Sequence, residues 1–188
     1  MISCSQCYSI QLSRDYMKKI VICLTILLLS GCLGMPKKVT PVSDFELPKY
    51  LGTWYEIARL DHSFERGLEQ VSAQYKLNED GDITVINRGF STQKNSWSEA
   101  VGKARLVSKA DQGYFKVSFF GPFYASYIIF ELDKDNYQYA FVCGPSLSYL
   151  WLLSRKKEVD PQILARFIEQ SKELGFDTSE LIFVEQGH

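Results

Sequence analysis

The side chains with the most reactive chemistry in this 188-residue chain are its five cysteines and two histidines. Cys143 would need a cationic neighbour to become a nucleophilic thiolate, and residues 139–145 contain no basic side chain. Cys4 and Cys7 have the spacing of a metal or redox pair, but no second pair accompanies them. His188 is the last residue, and no two carboxylates have a defined separation. We therefore predict no catalytic residue, no metal site and no cofactor.

Cys32 has a different context, because it follows a short cationic region and an apolar run. Residues 20–29 are apolar but too few to span a bilayer, which needs about 20 residues. With residues 17–19, Met-Lys-Lys, ahead of them, they fit the core of a secretory signal peptide, and Met17 is an alternative start. Residues 29–32, Leu-Ser-Gly-Cys, resemble the bacterial lipobox. The resemblance implies cleavage before Cys32, a diacylglyceryl group on its sulfur and acylation of the new amino terminus.

These features divide the chain into three parts. Residues 1–31 are predicted to be a presequence and signal peptide, residues 32–46 an acylated tether, and residues 47–188 the folded domain. Leu33 follows the cysteine, which in bacterial lipoproteins implies sorting to the outer membrane, with the protein facing the periplasm. Cys143 is then the only free thiol, so no internal disulfide is expected. The formal net charge of −1 gives no electrostatic reason to expect nucleic acid as a partner.

Eight segments rich in aromatic and β-branched residues follow one another with short connections, which is typical of an antiparallel meander. In the first of them, Trp54, Glu56, Ala58 and Leu60 are expected to share one face. An amphipathic helix is predicted to begin at Asp160-Pro161 and to end at Gly175, and a short strand over residues 181–184 to follow it. The strand predictions are residues 51–60, 71–77, 82–90, 97–108, 114–120, 124–132, 137–143 and 147–154.

A meander of eight strands removes its own edges by closing into a barrel. We therefore predict an all-β fold, an eight-stranded antiparallel up-and-down β-barrel with the single C-terminal α-helix packed outside; an open sandwich stays the alternative on pattern alone. Successive loops of such a barrel alternate between its ends. Trp54, Arg155 and the tight polar turns should lie at one end. The long loop over residues 61–70 and the aromatic residues 119–124 should lie at the other.

Gly52-x-Trp54, with Arg155 just after the last strand, resembles the lipocalin family, in which the tryptophan plugs the closed end and the arginine packs across its face. The longer match is to bacterial outer-membrane lipocalins, relatives of apolipoprotein D. It covers residues 51–59, 64–68, 117–123, 142–145 and 149–151. The Thr-Asp-Tyr motif of other lipocalins is absent near residues 137–139, so kinship with the vertebrate carriers is looser. The folded domain is identified as a lipocalin domain on these motifs.

The resemblance implies a binding protein for an amphiphile, a fatty acid or a lysophospholipid, held in the barrel and anchored to the outer membrane. A polar head would sit near Arg66, Lys94 or Tyr124. A structural envelope lipoprotein is the alternative, and a Cys143-dependent lipid-processing enzyme a weaker one, since one lipocalin branch uses a catalytic cysteine. A homodimer stays open. The residues predicted to contact the ligand are Phe64, Arg66, Phe119, Phe123, Tyr124, Tyr127, Cys143 and Trp151.

Overall fold

The computed structural model describes residues 34–107 and 111–187. Nine strands and two α-helices follow one another in these ranges. Among the described residues, no helix has the length and hydropathy needed to cross a bilayer. The elements are α1 (Leu47–Tyr50), β1 (Gly52–Arg59), β2 (Leu68–Leu77), β3 (Ile83–Ser91), β4 (Ser96–Leu106), β5 (Tyr114–Phe120), β6 (Phe123–Leu132), β7 (Tyr139–Cys143), β8 (Leu150–Ser154), α2 (Pro161–Leu174), a 3₁₀ turn (Thr178–Glu180) and β9 (Ile182–Phe183).

Strands β1 to β8 form a closed antiparallel barrel. Each strand pairs with the next in the chain, and β1 closes the barrel by pairing with both β2 and β8. The short β9 pairs with the last residues of β1, Ala58 and Arg59, which do not pair with β2. The predicted eight-stranded barrel is confirmed, with the last strand added beside β1.

Helix α2 forms where its capping residues predict it. The Asp160 side chain accepts a hydrogen bond from the Gln162 amide at 2.8 Å, and Pro161 opens the first turn. Gly175 ends the helix with a φ of +99°, a conformation that glycine adopts without the steric cost of a side chain. Phe167 is fully buried against the outside of the barrel, so the prediction of one external helix is also confirmed.

Two apolar clusters lie on the two sides of the barrel wall. The first fills the barrel interior near the end at which β1 begins and is called the interior cluster. The second lies between the barrel wall and α2 and is called the outer cluster. The interior cluster contains Phe45, Tyr50, Trp54, Tyr75, Ile83, Val85, Ala104, Phe115, Ile129, Leu132, Tyr137, Ala140, Val142 and Leu153. The outer cluster contains Val39, Ala58, Leu60, Ile128, Phe130, Phe141, Cys143, Leu150, Leu152, Phe167 and Phe176.

The alternation predicted for β1 is wrong beyond Glu56. The pairing of β1 with β8 shifts register between Glu56 and Ala58, which marks a β-bulge. Cross-strand partners share a face, so Glu56 lies inside opposite Leu153 and Ala58 lies outside opposite Leu152. The extra residue also turns Arg59 into the barrel, opposite Trp151. The bulge therefore places a buried acid and a buried base on the same interior wall.

Residues 34–46 were predicted to belong to an acylated tether, but the structure holds this segment on the barrel at several points. The Val42 amide donates to the Ile129 carbonyl at 2.9 Å, and Val42 in turn accepts from Gly113 at 3.0 Å. Val39 is 5% exposed and belongs to the outer cluster. The two prolines and two lysines of residues 35–41 indicate a tether, yet Val39 and Phe45 are buried against the barrel.

Candidate functional site

The end of the barrel at which β1 begins is closed by an aromatic plug. Trp54 is fully buried, and its indole Nε1 donates to the Tyr50 carbonyl at 2.8 Å, with the two rings 4.8 Å apart. The Arg155 guanidinium lies 3.9 Å from the centre of the indole ring, a cation–π contact.

Arg155 also ties the plug to the neighbouring backbone. It donates to the carbonyls of Thr53 at 2.8 Å, Lys49 at 2.8 Å and Leu51 at 2.9 Å. Gly52 has a φ of +97°, and a Cβ on it would lie 3.3 Å from Arg155 Nη1. A side chain at position 52 would therefore be strained and would crowd the guanidinium.

Three tyrosine hydroxyls meet inside the barrel above the plug. The hydroxyls of Tyr50 and Tyr127 are 2.7 Å apart, and Tyr75 donates to Tyr127 at 2.8 Å. Burial raises the pKa of all three phenols well above the usual value. Because the hydroxyls satisfy one another, this layer forms a neutral and largely apolar floor. The ring of Tyr127 stays partly exposed above it.

The wall above this floor is apolar on one side. Ala73, Val117, Phe119 and Trp151 pack against the interior cluster but keep part of their surface exposed. β4 and β5 pair only between residues 103–106 and 115–118, so the two strands part toward the end at which β1 finishes. A groove of about 380 Å³ lies where they part; it opens to the outer surface and is lined by Val101, Lys103 and Tyr124 as well as by Gly102 and Phe119. A Cβ on Gly102 would lie 2.7 Å from the Ser118 carbonyl oxygen, so the close approach of β5 requires glycine there.

A buried polar group occupies the opposite wall. Arg59 is 2% exposed, and it donates to Glu56 Oε1 at 2.6 Å and to the Glu65 carbonyl at 3.0 Å. The Trp151 indole donates to Glu65 Oε2 at 3.1 Å. His62 Nδ1 lies 3.2 Å from the same oxygen without the alignment of a hydrogen bond. Arg59 Nε and Asn87 Oδ1 are buried polar atoms with no protein partner, and alternation along β3 places Asn87 on the same interior side as Val85.

The carboxyl of Glu56 is the most perturbed acid of this group. Burial, and after it the negative charge of Glu65, raise its pKa to about 8, although Arg59 opposes the shift. The raised pKa favours the protonated form of the Glu56 carboxyl at neutral pH. This carboxyl lies in the interior, on the wall opposite the apolar one.

The sequence profile of the lipocalin-like domain matches residues 45–186. The chain belongs to the lipocalin family. This lipocalin is 62% identical to the outer membrane lipoprotein Blc of Vibrio cholerae over 170 residues, which are 90% of this chain and 99% of that relative. It is 34% identical to temperature-induced lipocalin-1 of Arabidopsis thaliana over 155 residues, which are 77% and 81% of the two chains. The solved structure of insecticyanin from Manduca sexta has the same fold, with a TM-score of 0.67, 23% identity and coverage of 83% and 88%.

The residues predicted to contact a ligand fall at several places in the lipocalin barrel. Phe119, Tyr127 and Trp151 face the interior. Phe64, in the loop between β1 and β2, is 59% exposed, and Phe123, at the start of β6, is 60% exposed; both lie at the open end of the barrel. Arg66 and Tyr124 lie at the surface of the same end. Arg66 forms an ion pair with Asp61, and the Tyr124 ring lies 5.3 Å from Lys116 Nζ.

The structure corrects the prediction that Cys143 contacts the ligand. Cys143 pairs with Leu150 and Ile128, and all three side chains belong to the outer cluster. Both faces of β7 are buried, since α2 covers the outer face, so an apolar sequence gives no sign of which side is interior. Burial raises the pKa of the thiol to about 12, which keeps it protonated.

The sequence did not single out Arg59, Glu65, Asn87, Tyr50 or Tyr75 as parts of the interior. A charged arginine at the end of a largely apolar strand was the available signal for Arg59. Whether the Arg59 side chain faces the interior or the outside depends on the bulge, and no residue pattern in the sequence predicts that bulge. The tyrosine layer combines residues from α1, β2 and β6, so only the fold brings them together.

Glu56→Gln should change how the stability of this lipocalin depends on pH. The folded-state pKa of about 8 lies above the usual glutamate value, so the folded protein binds one more proton than the unfolded chain between these values. The free energy of unfolding should therefore fall as pH rises from 5 to 8. The loss should be absent in Glu56→Gln and retained in Glu99→Gln, whose carboxyl is exposed on β4. Urea unfolding at the two pH values measures this, and parallel curves for the parent and Glu56→Gln would contradict it.

Proposed function

We propose that this lipocalin is an outer-membrane-anchored lipoprotein, facing the periplasm, that binds, stores or transports a fatty acid or lysophospholipid in the cell envelope. One observation supports this above the others. The interior is closed at one end by Trp54 and its partners, while apolar side chains such as Phe119 and Trp151 keep exposed surface toward the other end. An acyl chain entering from the open end would cover that surface. The anchor is Cys32, which lies outside the described residues.

The energetics of this arrangement suit an acyl chain. Burial of about sixteen methylenes offers roughly 13 kcal/mol before costs. Association and ordering take back several kcal/mol or more of that gain, so affinity in the micromolar range or tighter is expected. The tyrosine layer sets the depth that the chain reaches, because its hydroxyls are already paired with one another.

The polar head of the lipid stays at the open end. Lys94 lies in the turn between β3 and β4. Tyr124 lines the surface groove between β4 and β5, and its ring lies 5.3 Å from Lys116 Nζ. Arg66 is less suited than the sequence indicated, because Asp61 already neutralises it.

Catalysis is not part of this proposal. Cys143 lies beneath α2 with a protonated thiol, away from the interior wall that would hold the lipid. Within residues 34–107 and 111–187, no group of three or more histidine, cysteine or carboxylate side chains is arranged to hold a metal ion.

Phe123→Asp tests where the lipid enters. It places a charge at the open end beside the path of the acyl chain, on a side chain that is 60% exposed in the parent. We expect about tenfold weaker binding of a fluorescent fatty acid, about 1.4 kcal/mol, with little loss of stability.

The matched control is Asp135→Ser, in the turn between β6 and β7 at the closed end, which should leave the affinity unchanged. The entry route would be contradicted if the control lost affinity while Phe123→Asp bound as the parent does. Fluorescence titration of both variants against the parent measures the difference.

A further inference from the structure

One stretch of the interior carries charged and amide side chains that a plain acyl chain cannot pair. Glu56 and Arg59 are 3% and 2% exposed, and Arg59 Nη1 donates to Glu56 Oε1 at 2.6 Å. Asn87 on β3 lies on the same interior side as Val85. We call Glu56, Arg59 and Asn87 the polar wall. Methylenes offer no hydrogen bond, so an alkyl chain laid against the polar wall would leave its donors and acceptors unpaired, which disfavours binding.

The polar wall is continuous from β1 to β3. Gln186 Nε2 donates to the Glu56 carbonyl at 2.6 Å and to the Val71 carbonyl at 2.9 Å, which holds β1 and β2 together beyond their last paired residues. Val71 in turn lies against β3, because a Cβ on Gly89 would be 3.2 Å from Val71 Cγ2. Asn87 precedes Gly89 by two residues and shares its side of the strand. Glu56 and Asn87 therefore lie on either side of Val71.

The polar wall lies near the deep end of the interior. Glu56 follows Trp54 of the plug by two residues, a rise of roughly 7 Å along β1. Burial raises the pKa of the Tyr75 phenol in the tyrosine floor, and the nearby carboxyls of Glu65 and Glu56 add to that increase. An acyl chain whose head stays at the open end would therefore bring its far end to the polar wall.

The polar wall has hydrogen-bonding capacity left for a ligand. Arg59 uses Nη1 and Nη2 on Glu56 and on the carbonyls of Glu65 and Leu68, and its Nε has no partner in the part of the chain that the structure describes. Asn87 Oδ1 is likewise unpaired within residues 34–107 and 111–187. The raised pKa of Glu56 favours a protonated carboxyl, which is a further donor. A hydroxyl group complements this set, because it accepts one hydrogen bond and donates another.

The charges of this region favour a neutral group over a carboxylate. The positive charge of Arg59 lies beside the Glu65 carbonyl and balances the one negative charge of the Glu65 carboxylate when Glu56 is protonated. A ligand carboxylate placed here would add a buried charge with no cation left to balance it, which is strongly unfavourable. A hydroxyl adds no charge.

We propose that the polar wall binds a hydroxyl group on the buried end of the ligand, so that this lipocalin prefers a fatty acid hydroxylated at the far end of its chain to an unsubstituted one. The preference rests on the proposed function and names a narrower class of ligand for the same interior. The carboxyl head of such a ligand stays at the open end. Its terminal hydroxyl accepts from Arg59 and donates to Asn87.

Displacement of a fluorescent fatty acid from the full chain tests the preference with three competitors of equal chain length. They are hexadecanoic acid, ω-hydroxyhexadecanoic acid and α-hydroxyhexadecanoic acid. The ω-hydroxy acid should displace the probe at about tenfold lower concentration than hexadecanoic acid, because its hydroxyl pairs with the polar wall. The α-hydroxy acid carries its hydroxyl beside the head and should match hexadecanoic acid. A wholly apolar interior would reverse the first result, since an unpaired hydroxyl would weaken binding there.

Asn87→Leu assigns the preference to the polar wall. It removes the acceptor with a side chain of similar size, and its neighbours across the sheet, Ala73 and Ala100, are small. The ratio of the two displacement concentrations, for hexadecanoic acid over the ω-hydroxy acid, should fall from about tenfold to about one or below. Asn136→Leu is the matched control on an exposed turn at the closed end, and it should keep the parent ratio. Comparing two ligands on one variant cancels any change in its fold.

The outcomes separate this preference from the proposed function. A chain that binds neither the probe nor any of the three acids overturns the proposed function, and the preference falls with it. Three acids that compete while the ω-hydroxy acid is no stronger than hexadecanoic acid overturn the preference alone. An equal advantage for the α-hydroxy and ω-hydroxy acids, or an advantage that persists in Asn87→Leu, shows that the hydroxyl is bound elsewhere and overturns the assignment to the polar wall.

Discussion

Replacing Trp54 with alanine should lower the free energy of unfolding by about 3–5 kcal/mol, the range for a large aromatic side chain in a core. The indole is fully buried and closes the barrel between Tyr50 and Arg155. Its loss leaves a cavity among side chains that are held by several backbone hydrogen bonds and cannot close around it. Urea unfolding followed by far-ultraviolet circular dichroism measures the change.

Trp97→Ala is the matched control, because this tryptophan is 48% exposed on the outer side of β4 and packs beside Arg88. It should cost less than about 1 kcal/mol. If Trp54→Ala were as stable as the parent, or if the two variants lost similar stability, the closed end would not be where the aromatic plug places it.

Replacing Cys32 with alanine should abolish membrane anchoring. Each buried methylene contributes about 0.8 kcal/mol to membrane binding, so the acyl chains implied by the lipobox would hold the protein essentially permanently. Without the sulfur, no chain is attached, and the protein should be released from membranes or stay unprocessed. Labelling with radioactive palmitate and fractionation of the envelope measure both outcomes.

Cys143→Ala is the control for the anchor, because its thiol is buried beneath α2. It should incorporate palmitate and sediment with the outer membrane as the parent does. If the Cys32→Ala protein still carried acyl chains in the outer-membrane fraction, the lipobox interpretation would be contradicted.

The barrel and its helix could be predicted because their signals are local. Apolar alternation marks each strand, and Asp160, Pro161 and Gly175 mark the ends of α2 through backbone hydrogen bonds and φ angles that depend on neighbours in the chain. Eight consecutive strands with short connections then leave few ways to remove the edges. The stacking of Arg155 on Trp54 followed from family resemblance and from topology, which places both at one end.

The details of the interior depend on contacts that the sequence does not mark. The bulge after Glu56 reverses the facing of Ala58 and Arg59, and one extra residue in a strand leaves no compositional trace. Cys143 was placed on the wrong face because β7 is apolar on both sides. The packing of residues 34–46 was missed because the two prolines and two lysines of residues 35–41 indicated a tether, whereas Val39 is buried in the outer cluster.

The central claim is that the barrel holds a lipid above its tyrosine floor. Native mass spectrometry of the Cys32→Ala chain, purified without detergent so that no covalent acyl chain is counted, tests it most directly. We predict one non-covalently bound fatty acid or lysophospholipid per barrel, released on denaturation and depleted in Phe123→Asp. A protein that carries no lipid and takes up none when fatty acid or lysophospholipid is added would contradict the claim and favour a structural envelope protein, whereas turnover of the added lipid would favour an enzyme.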